Sequence, residues 1–261
     1  VLEPADLERR FGGLARLYGA EGARRIRKAH VVVVGIGGVG SWAAEALARS
    51  GVAGLTLIDL DHVSESNVNR QIHALSSTLG QSKVQAMRER ILDINPDCHV
   101  RCVEDFVDSA NWPEIAQLET DTNTSLSVLD ACDQVKAKTA MAAWAMHSNA
   151  NFITVGAAGG KRQAHMVEID DLALTTHDPL LAQLRYRLRK EHAAVRHGKI
   201  GIPCVFSRES VMQPVANALS DLTDSSLNCH GYGSVVSVTA TFGICAAGWL
   251  LDKIASVSFA K

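Results

Sequence analysis

His30-Val-Val-Val-Val-Gly35-Ile-Gly37-Gly38-Val-Gly40 joins an apolar run to a glycine-rich turn. A continuous valine run fits a strand covered on both faces, as in a parallel sheet. Ser41 to Ser50 follows with Trp42, Ala46 and Leu47 at helical spacing, and Gly51 stands where a helix C-cap belongs. The turn therefore lies between a strand and a helix. A turn this tight needs residues free to take positive φ, and backbone N–H groups approach an anion closely only where no Cβ intervenes. The following helix points its N-terminal dipole at the same place. Gly35, Gly37, Gly38 and Gly40 thus read as a phosphate cradle, although a turn that only lets helix and strand pack closely uses the same residues.

Working outward, Leu55 to Asp59 reads as a second buried strand and Ser82 to Ile94 as an amphipathic helix ended by Asn95-Pro96. His99 to Phe106 alternates as a strand does. Leu126 to Leu129 is a further apolar strand, Val135 to Asn149 a helix, and Phe152 to Val155 closes the series. This alternation predicts a Rossmann-like α/β fold: a doubly wound, mostly parallel sheet with helices on both faces and a C-terminal extension. The expected organisation is an N-terminal helical arm over 1–29, broken at Gly12-Gly13, a nucleotide-binding core over 30–160, and an extension over 161–261 within the same domain. The extension carries a charged helix from Asp178 to about Arg196 and an apolar helix near the end. Glu119 to Ser125 is a polar loop.

Hydrophobic residues make up 47% of the 261 and charged residues 21%, which fits a globular protein and argues against long disorder. A net charge of -2 gives no overall preference for nucleic acid. The six cysteines are scattered and none forms a Cys-x-x-Cys pair, which argues against a structural zinc and for a reduced, cytoplasmic protein. Val1 to Arg10 shows no apolar signal core. Val235 to Leu251 is uncharged, shorter than the ~20 residues of a spanning helix, and reads as a buried or subunit-interface helix ahead of a membrane one.

About twenty residues past the last glycine stands Asp59, placed to accept hydrogen bonds from ribose hydroxyls. Asp61 is either a solvated turn carboxylate or a ligand. These features suit NAD as well as ATP. Asn67, Arg70 and Gln71 after the second strand, and Lys83 at the next helix start, favour ATP: hydride transfer has little use for such groups, whereas negative charge developing on phosphate oxygens needs them. Asp130 and Asp133 flank Cys132, and one of them could hold Mg²⁺ on the phosphates. Individually, Arg70 reads also as a surface ion-pair partner, Lys83 as a helix-start lysine and Asp133 as a helix N-cap.

In order, Gly-x-Gly-Gly-x-Gly, Leu57-Ile-Asp59-Leu-Asp61, Asn67-x-x-Arg70-Gln71, Gly80-x-x-Lys83 and Asp130-x-x-Asp133 resemble the adenylating superfamily of ubiquitin-activating enzymes and sulfur-carrier adenylyltransferases. The resemblance implies ribose binding by Asp59, phosphate binding by Asn67, Arg70 and Lys83, Mg²⁺ binding by Asp133, and a phosphate clamp from an N-terminal arginine, often the partner subunit's. Arg16 is the best match. Arg16, Arg70, Lys83 and Asp133 are then the catalytic set.

The paired zinc cysteines of the sulfur-carrier enzymes are missing. Arg10-Phe-Gly-Gly-Leu-Ala-Arg-Leu-Tyr-Gly19, Gly156-Ala-Ala-Gly-Gly160, Cys204-Val-Phe-Ser207 and Thr239-Ala-Thr-Phe-Gly243 instead resemble the bacterial tRNA threonylcarbamoyladenosine dehydratases, over nearly the whole chain. That resemblance implies ATP and Mg²⁺, a tRNA substrate, a homodimer, sulfur-transfer proteins as further partners, and ring closure through a carboxyl-adenylate. The competing functions are activation of the C-terminal glycine of a ubiquitin-like carrier and NAD-dependent oxidoreduction. Arg185, Arg187, Arg189, Lys190, Arg196 and Lys199 are either RNA contacts or a solvated helix face. Cys229, beside His230, is either a reactive thiol or a structural cysteine, and Cys132 and Cys204 read as small core residues.

Overall fold

A computed structural model describes residues 5–117, 126–212 and 232–256. Seven strands form one sheet: β1 (His30–Val34), β2 (Gly54–Ile58), β3 (His99–Val103), β4 (Ser127–Asp130), β5 (Asn151–Val155), β6 (Val167–Asp171) and β7 (Pro203–Ser207). Their spatial order is β3-β2-β1-β4-β5-β7-β6, with every neighbouring pair parallel except β6 and β7. The sheet is therefore Rossmann-like and doubly wound, with its switch point between β1 and β4, where such folds open a crevice beyond the strand C-termini.

Seven helices accompany it among the described residues: α1 (Leu7–Phe11), α2 (Leu14–Ile26), α3 (Gly40–Arg49), α4 (Lys83–Ile94), α5 (Val135–Ala145), α6 (Pro179–Glu191) and α7 (Val236–Ser256). Valines of β1 alternate between two cores. Val31 and Val33 pack with Ala43 and Leu47 of α3, Met87 of α4 and Phe242 of α7. Val32 and Val34 pack with Met141 of α5 and with Leu181, Leu184 and Leu188 of α6. Both faces are covered, which is why the run reads as continuously apolar.

Several expectations need correction. The helix expected over Val135 to Asn149 ends at Ala145, and the strand expected to reach Phe106 ends at Val103. The series does not close at β5, because β7 pairs beside it and β6 adds an antiparallel edge. Helix α6 stops at Glu191 rather than near Arg196, since Ala193 takes a left-handed φ of 54°. Helix α7 has 21 residues and is long and apolar enough to cross a membrane by length and composition. Its shortness was thus the wrong reason to read it as a core helix. The reason the structure gives is burial: Val238, Phe242, Ala246 and Leu250 are fully enclosed by protein. At Gly243 a Cβ would stand 2.3 Å from the Val39 carbonyl, so α7 is seated against the glycine turn itself.

Candidate active site

The glycine turn is shaped by contacts that no side chain tolerates. Gly35 takes φ +86°, and a Cβ there would stand 2.9 Å from the Ala131 and Cys132 backbone. At Gly40 a Cβ would come within 1.8 Å of the Gly35 carbonyl oxygen. The turn closes on itself, and Ser41 N–H donates to the Gly37 carbonyl at 3.1 Å to start α3. Gly37 has open space where its Cβ would be.

Asp59 leaves the end of β2 and ties down this turn. Its Oδ2 accepts from Ile36 N–H at 2.6 Å and its Oδ1 from Asp61 N–H at 2.9 Å. Burial pushes its carboxyl above the usual range even though the nearby Lys83 ammonium pulls the other way. Lys83 Nζ lies 2.6 Å from Asp61 Oδ2 and 3.9 Å from Asp59 Oδ1. Asp61 is thus exposed yet holds the lysine. Lys83 is buried, as are Asn67 and Arg70. The Arg70 guanidinium donates to the Ser66 carbonyl at 2.6 Å and to Asn69 Oδ1 at 3.0 Å, while the Arg70 carbonyl accepts from Trp42 Nε1 at 2.9 Å. Asn67 Oδ1 accepts from Ser64 N–H at 3.1 Å and closes the short 3-10 turn Glu65–Asn67. Neither cation stands on an open surface: both line, with Asn67 and the glycine turn, one cleft of about 650 Å³.

The two carboxylates after β4 part company. Asp130 is fully buried; its Oδ2 accepts from Lys138 Nζ at 2.9 Å and from the Thr154 hydroxyl at 2.5 Å, and its Oδ1 from Cys132 N–H and Sγ. That leaves little capacity for a ligand. Asp133 is exposed and lines the cleft, and the α5 N-cap is Gln134, which makes no side-chain cap. Cys132 packs against the core on the α5–α6 side but is only half-buried, because it also lines the cleft; its thiol is pushed well up by burial and by Asp130. Cys204 is buried, as expected. Lys138 was not singled out in the sequence. Burial opposes its charge, and the Asp130 carboxylate beside it more than restores it, so its pKa is raised. Among the described residues no three His, Cys, Asp or Glu side chains gather as a metal site.

The opposite wall is built from the loop after β5 and the start of α6. Asp178 caps α6 through Leu181 N–H at 3.0 Å and binds Ala157 N–H at 2.9 Å, and a Cβ on Gly156 would lie 2.0 Å from its Oδ2. Lys161 Nζ is enclosed by the carbonyls of Glu209 (2.7 Å), His177 (3.1 Å) and Ser207 (3.3 Å), which pins the exits of β5 and β7 together. Pro179, Leu180 and Gln183 of α6 face the cleft, with Val211, Tyr232 and Thr239 beside them.

Comparison with known families places this arrangement: the ThiF family model matches residues 10–258. The chain belongs to the ThiF family. It is 43% identical over 254 residues to the tRNA threonylcarbamoyladenosine dehydratase of Escherichia coli, covering 94% of this chain and 93% of the relative. It is 41% identical over 252 residues to the enzyme of that name from Haemophilus influenzae, covering 95% and 94%. The crystal structure of the Escherichia coli tRNA N6-threonylcarbamoyladenosine dehydratase in complex with ATP matches with a TM-score of 0.85 at 41% identity over 97% of each chain.

Other singled-out residues of this ThiF-family chain lie away from the cleft. Arg16 is exposed on α2 and does not line it. The basic cluster does not act as one patch. Arg185 Nη1 is turned inward onto the carbonyls of Leu172 (2.9 Å) and Thr175 (3.1 Å), and Arg189 Nε donates to the Val195 carbonyl at 3.2 Å. Arg187 lies 3.7 Å from Glu191, Lys190 sits 5.6 Å from the Tyr186 ring centre, and Arg196 and Lys199 are exposed in the following loop. Cys229 and His230 lie outside the described residues.

Proposed function

We propose that this chain uses ATP to dehydrate threonylcarbamoyladenosine in tRNA, acting in the cytoplasm through a carboxyl-adenylate. A threonyl carboxylate oxygen attacks the α-phosphorus of ATP, the bond to the β-phosphate oxygen breaks, and pyrophosphate leaves. A carbamoyl nitrogen then closes on the activated carbonyl, loses its proton, and expels AMP with the former carboxylate oxygen. The water removed from the substrate is thereby carried off in the phosphate products. Ring closure is intramolecular, so holding the substrate in place supplies much of the rate.

The observation that carries this reading is the meeting of the glycine turn, Arg70, Lys83 and Asp133 in a single cleft of about 650 Å³, walled on the other side by the loop after β5 and the start of α6. Asp59 suits the ribose hydroxyls. Arg70 and Lys83 suit the charge that builds on the departing pyrophosphate. Lys83 would exchange its Asp61 partner for phosphate oxygens. Asp133, an exposed carboxylate on the cleft, suits Mg²⁺, since that ion takes one or two carboxylates and completes its shell from substrate oxygens. When bound there it would neutralise phosphate charge. Arg16, exposed on α2 and away from the cleft, would complete the site from the partner subunit of a homodimer.

The test is AMP and pyrophosphate release with tRNA bearing the modified nucleoside, against a small ubiquitin-like carrier. Release with tRNA alone supports the proposal, and release with the carrier alone overturns it. The similarity over nearly the whole chain to dehydratases, and the ATP complex of one of them, favour this reading over carrier activation and over NAD-dependent oxidoreduction. For the shared site, inactive Arg16→Ala and Lys83→Ala chains mixed together should regain activity, because one mixed site then holds both groups. No recovery in proven mixed dimers would refute it.

A further inference from the structure

Helix α6 joins the cleft to the outside by a single face. Pro179, Leu180 and Gln183 line the cleft. At 3.6 residues per turn, Tyr186, Arg187 and Lys190 fall on the same side as these three, within about a third of the helix circumference. Leu181, Leu184 and Leu188 occupy the buried side, and Arg185 and Arg189 the flank, where backbone carbonyls hold them. A continuous strip therefore runs from the cleft mouth outward over about 10 Å, from Gln183 to Lys190, at 1.5 Å per residue. It starts with a carboxamide, continues with an aromatic ring that is 62% exposed, and ends in two cations. Glu191, 3.7 Å from Arg187, is the opposing carboxylate.

We propose that this strip is the path by which the RNA strand leaves the cleft, with the modified nucleoside against Gln183 and the flanking phosphates on Arg187 and Lys190. The inference rests on the proposed function and sharpens it. Cations supply backbone affinity without reading sequence, and an exposed aromatic beside them gives an unstacked base a surface to lie on. A carboxamide at the cleft mouth offers a donor and an acceptor to a base edge. The strip also sorts the basic cluster: Arg187 and Lys190 face the strand, whereas Arg185 and Arg189 stabilise the fold.

The experiment measures binding of tRNA over a range of salt, using Arg187→Glu, Lys190→Glu and, as an equal charge change on another helix, Arg88→Glu. The expected result is at least tenfold weaker binding for the first two, and wild-type binding for the third. The neutral variants Arg187→Gln and Lys190→Gln should show a log affinity–log salt slope shallower by about 0.7 to 0.9 each. Wild-type affinity and slope in the α6 variants, or equal weakening by Arg88→Glu, would overturn the proposal. Failure of the wild-type protein to convert modified tRNA would instead count against the function itself. Thermal melting of each variant separates lost contact from lost fold.

Discussion

The Asp59 carboxylate accepts the Ile36 N–H at 2.6 Å, so the acid at the end of β2 and the glycine turn after β1 form one unit. Its second oxygen holds Asp61 N–H, and so also places the carboxylate that engages Lys83. Asp59→Asn sets an N–H₂ group against one of these donors. ATP affinity should fall about tenfold or more, the scale of one or two hydrogen bonds to a charged group. Calorimetric titration with ATP and Mg²⁺ checks this; unchanged affinity would mean that the acid does not face the nucleotide.

Lys138→Met should cost about 3–5 kcal/mol of stability, because it leaves Asp130 charged, enclosed and without its cation. Adding Asp130→Asn to it should return a large part of that loss, since the isolated charge is then gone. Urea unfolding of the single and double variants measures both. Equal instability of the two would show that packing rather than charge governs the site.

Much of the glycine-turn half of the cleft was legible because it is local. The glycine turn, Asp59, Asn67, Arg70 and Lys83 all lie in the one stretch of chain from Gly35 to Lys83, at or just beyond element ends that the sequence marks. The rest depends on distant pairings. Lys138 reads as one more helix lysine until the β4–β5 register sets Asp130 beside Thr154 and α5 lays the ammonium across them. A carboxylate directly after Val128 and Leu129 in a short buried strand was the available signal, since such a charge needs a buried partner. Arg185 reads as a surface cation, and only the chain path around Leu172 and Thr175 turns it inward. Nothing in α7's own pattern says that Thr239 reaches the cleft, because that follows from its seat on α3.

His73 is 2% exposed, and its two ring nitrogens have no hydrogen-bond partner among the described residues. Burial, aided by the Lys83 and Arg90 charges, pulls its pKa from 6.5 down to about 4. The folded state thus keeps the ring neutral where the unfolded chain binds a proton. Stability from this group is full above pH 6.5 and is lost as the pH falls toward about 4, by roughly 3 kcal/mol. Asp59, whose pKa is raised, works in the opposite sense, losing stability as pH rises above the ordinary carboxyl range. Comparison with His73→Leu isolates the histidine: the variant should show a flatter stability profile between these pH values, and an identical acid limb would contradict the assignment.

The central claim is that the substrate's own carboxylate strikes the α-phosphorus. It is tested most directly by labelling that carboxylate with heavy oxygen in threonylcarbamoyl-tRNA and following the label through a single turnover with ATP. One labelled oxygen should emerge in AMP, alongside a nucleoside lighter by one water and unlabelled pyrophosphate. Label in inorganic phosphate with formation of ADP, or a dehydrated nucleoside with unlabelled AMP, would contradict it.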